Sequence, residues 1–336
     1  MKQRGFRYCP TCRTKLQRRG LTKAGTQRWL CTVCSKSGVK PRQDLAKGLM
    51  LERFVGWLLG KQSQTELKTG SARSWRRHIA WCWQIIPKPV LTGEVYPVIL
   101  MDGTLVGNLV CLITRSIETV IDWHWAGWES SNTWEEPLKK IPAPLVVVCD
   151  GQKGILLAIT RVWPNARIQR CLFHVWQNIR VKLTLHPQTA AGQELLQLTR
   201  DLWQVSTTEQ AVTWQKKLTT WHNRYENFVR ERTDVINPKP HKRKWWYTHG
   251  RLGSAYYQLN KLVQDNQLFT YLDEELLEKV GQPVPRTTNY VEGGINSQLK
   301  EKLKLHRGLS QTHQQRLVDW YLYSRTKDQK PPRNVL

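Results

Sequence analysis

Between Val95 and Leu183 the apolar residues fall into two kinds of run. VYPVILMDG, NLVCLITRS and ETVIDWHWAGW are rich in β-branched and aromatic residues and predict three successive strands; APLVVVCDG predicts a buried fourth and ARIQRC a short fifth. TWEEPLKKI, KGILLAITRVWP and LFHVWQNIRVKL carry helical spacing instead. The predicted order is βββαβαβ followed by a helix.

Before the linker marked by Pro87, Pro89 and Pro97 the pattern is helical. DLAKGLMLERFVGWLLG predicts an amphipathic helix from Asp44, stopped by Gly60. Ser63-Gln-Thr-Glu66 reads as a capping box for a short helix, Gly70 turns the chain, and Ser71 caps a second helix over SARSWRRHIAWCW. Trp75, Ile79 and Cys82 share one face of it, leaving Arg73, Arg76 and Arg77 to project toward a DNA groove, as in a helix-turn-helix. A plain helical linker is the alternative, because any three-helix domain has such turns.

Cysteine spacing changes the picture at the N-terminus. Cys9-Pro-Thr-Cys12 and Cys31-Thr-Val-Cys34 enclose 18 residues, the C-x2-C-x18-C-x2-C arrangement of a four-thiolate zinc ribbon. Gly20 and Gly25 supply turn positions for a hairpin, and so few apolar residues lie between the pairs that one structural Zn²⁺ is needed for folding. Arg18, Arg19, Lys23 and Arg28 surround the ribbon and suit phosphate contacts. In a reducing compartment the eight cysteines are better read as metal ligands or buried thiols than as disulfides.

At 336 residues the chain is long enough for two or three domains, and its formal charge of +26 points to a polyanionic partner, nucleic acid first. The charge is segregated: residues 1–90 carry +17, residues 91–182 only +1 and residues 183–336 +8. No run approaches the roughly 18 apolar residues of a membrane span, and MKQRGFRYCP lacks the apolar core of a signal peptide. A cytoplasmic protein with no membrane partner is the expectation.

Three meandering strands followed by parallel crossovers describe an α/β, RNase H-like sheet better than a doubly wound nucleotide fold. Asp102 and Asp150 each stand at the end of a predicted strand, before a glycine. If the first and fourth strands are neighbours, the two carboxylates lie close enough to repel unless a cation stands between them. Hard oxygen ligands on a rigid sheet suit Mg²⁺ or Mn²⁺, and two such ions would activate the attacking oxygen and stabilise the leaving oxygen of a phosphodiester. The alternative is that each Asp-Gly merely begins a turn. Asp122, in VIDWHW, is a further strand carboxylate whose place in such a site is left open.

A third acid is needed, and Glu292 in RTTNYVEGGINSQLKEKLKLHRG is the best candidate, ahead of Glu301 and Asp319. The competing reading makes it the capping-box partner of Asn289. Gly293 and Gly294 weaken a helix, which makes sense if a nucleic-acid backbone approaches there; Asn296, Lys300 and Lys304 continue a polar, basic stripe at helical spacing.

At this point the chain resembles a family. The stretch from Asp150-Gly151 through WPNARIQRCLFHVWQNI, followed much later by TTNYVEGGINSQL, is similar to the Mutator-like bacterial insertion-sequence transposases. The resemblance covers roughly residues 95–325. It implies a DDE catalytic domain of RNase H-like fold, with Asp102, Asp150 and Glu292 as catalytic and Mg²⁺-binding residues and Cys171 and His174 as the family's C/D-x2-H signature. It also implies an all-helical insertion, which accounts for the 142 residues separating Asp150 from Glu292. The expected organisation is a zinc ribbon (1–42), a helix-turn-helix domain (43–90), the first part of the core (91–184), the insertion (185–284), and the last core helices with a tail (285–336).

Within the insertion, Trp203, Trp214 and Trp221 recur near helical periods and are expected in its core. HKRKWWYTHGRLGSAYYQL interleaves Arg243 and its basic neighbours with Trp245 and Trp246: either a DNA-binding surface on which bases stack, or a core helix with a charged edge. Cys171 and His174 have no second pair nearby and are not half of a zinc site. They are expected where the fifth strand enters its helix, with His174 contacting a DNA phosphate or orienting a carboxylate, unless they form a buried structural pair. The expected function is binding of transposon terminal repeats and metal-dependent cleavage and strand transfer, with target DNA and a homodimer or larger assembly as partners, in a bacterial cytoplasm. The rivals are a DNA-binding regulator or domesticated, catalytically inert transposase, and a nuclease that cuts without joining.

Overall fold

The computed structural model describes residues 8–9, 11–23, 25–39, 43–62, 66, 71–236, 241 and 244–336, with residues 43–45 described in backbone only. Ser63 of the expected capping box, the turn at Gly70 and the candidate DNA contact Arg243 lie outside the described residues. The chain divides into two units, Met1–Ile85 with Lys330–Leu336, and Ile86–Gln329. Among the described residues no helix is long and apolar enough to cross a membrane.

The first unit opens with an antiparallel sheet of order β1-β2-β3, made by β1 (Gln17–Leu21), β2 (Gln27–Leu30) and β3 (Ser37–Val39). Gly20 and Gly25 both have positive φ, +64° and +72°, so this hairpin uses glycine where other residues would be strained. Helix α1 (Gln43–Leu58) and helix α2 (Ala72–Ile79) follow. Aromatic edges hold α1 in place: Trp57 meets Trp75 of α2 and Phe54 meets Trp83 just beyond it, at 5.9 and 4.7 Å between centroids. Ser71 does cap α2, accepting from the Ser74 amide at 3.2 Å. The helix is shorter than expected; it stops at Ile79 and the chain continues into a 3₁₀ turn at Cys82–Gln84. Trp75, Ile79 and Cys82 are buried, and Arg73, Arg76 and Arg77 are exposed.

The second unit is built on a five-stranded mixed sheet of order β6-β5-β4-β7-β8. Its strands are β4 (Val98–Val106), β5 (Leu109–Arg115), β6 (Val120–Ala126), β7 (Val146–Cys149) and β8 (Arg167–Arg170). The first three form an antiparallel meander, and β4-β7 and β7-β8 are parallel pairs. Helices α3 (Ser131–Leu138) and α4 (Lys153–Val162) join them in the predicted order, and α5 (Leu172–Leu183) leaves β8. Alternation along the strands gives the sheet two faces. Ile99, Met101, Leu112, Val147 and Cys149 pack with Trp134, Leu138, Ile155 and Ile159 of α3 and α4 on one of them. Asp102 belongs to the other.

After α5 come α6 (Ala190–Asp201), α7 (Thr208–Arg230), β9 (Arg232–Asp234), β10 (Trp245–Tyr247), α8 (Gly250–Gln264) and α9 (Glu274–Val280). The expectation of an all-helical insertion is corrected here, because β9 and β10 pair as an antiparallel hairpin. Trp214 and Trp221 are buried and donate to the Leu198 and Ala191 carbonyls at 2.7 and 3.0 Å, whereas Trp203 sits on a 3₁₀ turn and is exposed. The chain then returns to the sheet edge: the Arg170 amide donates to Gln267 O, and Thr270 Oγ1 donates to Ile168 O. Short α10 (Asn289–Val291) leads through a π turn (Glu292–Asn296) into α11 (Ser297–Leu305), and α12 (Gln311–Tyr323) closes the fold.

Candidate active site

Parallel pairing of β4 with β7 sets Met101 opposite Cys149, so Asp102 and Asp150 follow directly from paired positions and stand side by side. The two Asp-Gly steps differ, and only Asp150-Gly151 ends its strand as the sequence predicts. Strand β4 runs through Asp102-Gly103 to Val106, so no turn begins there. Gly151 does turn the chain, at φ +74°, and its α-carbon lies so close to the Arg170 guanidinium that a side chain would collide with it. Arg170 uses Nε and Nη2 to hold the Asp150 carbonyl at 3.2 and 2.7 Å. The Asp150 carboxylate accepts from the Gln152 amide at 3.0 Å.

Glu292 reaches the same place from 142 residues away. His174, one turn into α5, has Nε2 at 3.0 Å from Glu292 Oε1. Cys171 begins α5, and its sulfur accepts from both the amide and the hydroxyl of Thr288, each at 3.3 Å. The C-x2-H pair and the TTN-x-x-E segment therefore clip together, Cys171 on Thr288 and His174 on Glu292. Arg115 fixes the segment from the sheet side, donating to Tyr290 O at 2.6 Å and to Ser116 O and Ile117 O. Thr288, not Asn289, occupies the cap position of α10, and Glu292 turns to His174 instead of back to a helix amide.

Electrostatics follow from this crowding. Burial, reinforced by Asp150, Glu292 and Glu129 and opposed by His174, pushes the Asp102 carboxyl up to about 7. Burial works against a charged His174, but the Cys171 and Glu292 side chains and Asp102 outweigh it and lift the imidazole to about 11. Among the described residues neither Asp102 nor Asp150 forms an ion pair with Lys or Arg. Hard oxygen donors that outnumber the one His174 charge fit a divalent ion such as Mg²⁺ or Mn²⁺. The carboxylates are set more widely than the four cysteines, whose sulfurs all lie within 4.8 Å of one another.

The other sequence candidates separate clearly. Asp122 pairs with Thr114, which pairs with Met101, so it points to the face opposite Asp102. Asp319 is buried but occupied: it accepts from the Trp123 and Trp125 indoles at 2.9 and 2.8 Å and pairs with Arg316 at 2.6 Å. Glu301 is exposed on α11. Of the expected stripe, Lys300 and Lys304 are exposed, but Asn296 is buried, a correction explained by the π turn: the Ser297 amide bonds Glu292 O, five residues back, which rotates the following face. Asn289 approaches Gly293; a Cβ there would lie 2.7 Å from its Oδ1, so the space is filled from within the chain. In the hairpin, Trp246 is half exposed and Arg232 stacks over Trp245 at 3.9 Å.

Sequence reasoning missed Arg115 and Glu129. Arg115 is a buried arginine at a strand end, a weak signal that only a long-range carbonyl contact makes meaningful. Glu129 follows β6 in WESSNTW, where nothing local distinguishes it.

In the ribbon, Cys9 and Cys34 sulfurs are 3.4 Å apart, Cys12 and Cys31 3.3 Å, and Cys12 and Cys34 3.7 Å. Tetrahedral zinc with bonds of about 2.3 Å places sulfurs about 3.8 Å apart, so the cluster is compatible with a zinc ribbon.

Residues 101–178 match the family model of the MULE transposase domain. The chain is also 26% identical over 121 residues to the transposase for insertion sequence element IS1201 of Lactobacillus helveticus, an alignment covering 34% of this chain and 32% of that protein. The chain thus matches about a third of its relative's length. Asp102, Asp150, Cys171 and His174 fall inside the matched domain, and Glu292 lies beyond it. The domain match and the relative together support a Mutator-like insertion-sequence transposase.

Proposed function

We propose that the chain is a DDE transposase with an RNase H-like core, using divalent metal to cut DNA at transposon ends and join the freed 3′-hydroxyls to target DNA. The observation that carries this reading is the meeting of Asp102 and Asp150 on neighbouring parallel strands with Glu292, delivered by His174. Asp102, Asp150 and Glu292 would hold Mg²⁺ or Mn²⁺, two ions per site, which when bound supply activation of the attacking oxygen and stabilisation of the leaving oxygen. The protein's own part is positioning. Strands β4 and β7 fix the two aspartates, the Arg170 clamp holds the Asp150 backbone, and His174 aims the Glu292 carboxylate. Water opens a phosphodiester at the element's end, and the 3′-hydroxyl so released attacks a second phosphodiester in line.

DNA is held elsewhere on the chain. The four cysteines hold one structural Zn²⁺, and α2 serves as the reading helix of a helix-turn-helix, with Arg73, Arg76 and Arg77 available to phosphates or base edges. Lys300 and Lys304, and Trp245 and Trp246 of the hairpin, supply further cationic and stacking surface. Two ends are brought together by a homodimer or larger assembly acting in the bacterial cytoplasm.

A labelled duplex bearing the element's end, incubated with purified protein and Mg²⁺, tests the reading. Cleavage plus joined products is expected, with both lost in Asp150→Asn. Binding alone would mark a DNA-binding regulator or inert descendant, and cleavage without joining a nuclease; full joining by Asp150→Asn would overturn the catalytic assignment.

A further inference from the structure

Gly103 presents a puzzle that the triad does not solve. It sits inside strand β4, between Asp102 and Thr104, where glycine weakens a strand and has no turn to make. Its φ is not in the left-handed region, so conformation does not demand it either. What demands it is space. A Cβ at position 103 would point to the α3 face, opposite Asp102, and run into the carboxylate of Glu129, which rests there against β4 where the strand continues past its last pairing with β7 at Met101–Cys149.

Glu129 is held there from two sides. It follows β6 by three residues, and the Trp134 indole donates to its Oε2 at 3.3 Å, which fixes the carboxylate from α3. Gly154 of α4 packs against the Ser130 backbone, with a Cβ there only 3.0 Å from Ser130 C, so the segment carrying Glu129 lies along the loop carrying Asp150. Among the described residues Glu129 forms no ion pair, whereas Glu135, six positions on, pairs with both Lys139 and Arg161. A half-buried carboxylate near Asp102 and Asp150, which shares the His174 imidazolium with them and forms no ion pair with Lys or Arg among the described residues, is an unfavourable arrangement unless something from outside supplies further positive charge.

We propose that Glu129 is a fourth carboxylate of the metal site, binding the divalent ion held by Asp150, and that Gly103 is glycine to let it in. This inference rests on the divalent-metal reading given above. It adds a ligand that a triad of two aspartates and Glu292 does not contain.

Titration of full-length protein with Mn²⁺, followed by the loss of free-Mn²⁺ electron paramagnetic resonance signal, tests it without any turnover. Glu129→Gln keeps the shape and the acceptor for Trp134, so a merely structural glutamate predicts unchanged Mn²⁺ affinity, while a ligand predicts weakening by about tenfold or more. Gly103→Ala removes no carboxylate but pushes Glu129 aside, and should weaken binding similarly, with the double variant no worse than Glu129→Gln alone. Wild-type affinity in Glu129→Gln, with Asp102→Asn binding poorly, overturns the role of Glu129 and leaves the metal site standing. Failure of wild-type protein to bind Mn²⁺ at all overturns the metal reading and this inference with it.

Discussion

His174 Nε2 lies 3.0 Å from Glu292 Oε1, and this single contact joins a helix that leaves the sheet to a segment 118 residues further along the chain. Because Cys171 holds Thr288 one turn earlier, the contact is one half of a two-point clip. On the proposed function His174 acts through Glu292 as a positioning residue. His174→Ala should lower cleavage about 10–100-fold, the usual range for losing an outer partner of a metal ligand, while end-DNA affinity is unchanged. Normal cleavage by this variant would reduce the pair to a structural contact. The pH dependence has a definite sign. With its folded pKa lifted to about 11 from an unfolded value near 6.5, His174 stabilises the fold fully below about pH 6.5 and progressively less as pH rises toward 11. Denaturant midpoints should therefore separate wild type from His174→Ala more at pH 6 than at pH 9.

Asp102 makes a complementary prediction. Its carboxyl is lifted to about 7, chiefly by burial, so the metal-free fold retains a proton that the unfolded chain gives up near pH 4. Between those values stability contributed by this group falls as pH rises. A divalent cation competes with the same proton, so Mn²⁺ affinity should climb by about tenfold per pH unit below 7 and level off above it. Calorimetric titrations at pH 6 and pH 8 measure the difference. Equal affinity at the two values would show that Asp102 does not hold the ion.

The ribbon predicts one zinc per chain. Cys9, Cys12, Cys31 and Cys34 gather their sulfurs in a segment whose buried cluster, among the described residues, otherwise contains only Leu16, with Trp29 packed against it. Little remains to hold it folded without metal, since structural zinc supplies on the order of 10 kcal/mol in such modules. Chelation, or Cys31→Ser, should abolish zinc by elemental analysis and weaken DNA binding, yet leave the thermal transition of the sheet-bearing unit in place. Retention of full DNA affinity without zinc would remove the ribbon from the DNA-binding surface.

How far these features were legible in the sequence follows from the range of the forces involved. Strand runs ending near Asp102 and Asp150 are local patterns, and neighbouring parallel strands bring such positions together without further information. The His174–Glu292 contact depends on how the helical insertion folds back onto β8, which no local pattern encodes. Gly103 looks like a strand end because Asp-Gly is a strong turn signal, whereas β4 runs on to Val106 and the carboxylate beside Gly103 comes from beyond a different strand. Uninterrupted α-helical spacing puts Asn296 on the exposed stripe, and the π turn breaks that spacing. Residues 245–247 run without a break signal into the helix that follows, although their aromatic side chains suit the strand they form.

Asp122 offers the last test, because register alone assigns its role. It is buried and faces away from Asp102, with Oδ1 accepting from the Trp123 amide at 2.9 Å and Oδ2 without a hydrogen-bond partner among the described residues. Burial raises its pKa, the mark of a charge the fold accommodates poorly. Asparagine keeps the Oδ1 acceptor and removes the charge. Asp122→Asn should therefore cleave and join DNA at the wild-type rate and unfold at equal or higher denaturant concentration at pH 8. At acid pH the advantage should vanish, since wild-type Asp122 is then protonated and neutral as well. A variant that folds normally but loses strand joining would place Asp122 in the catalytic site, and the sheet register would have to be redrawn.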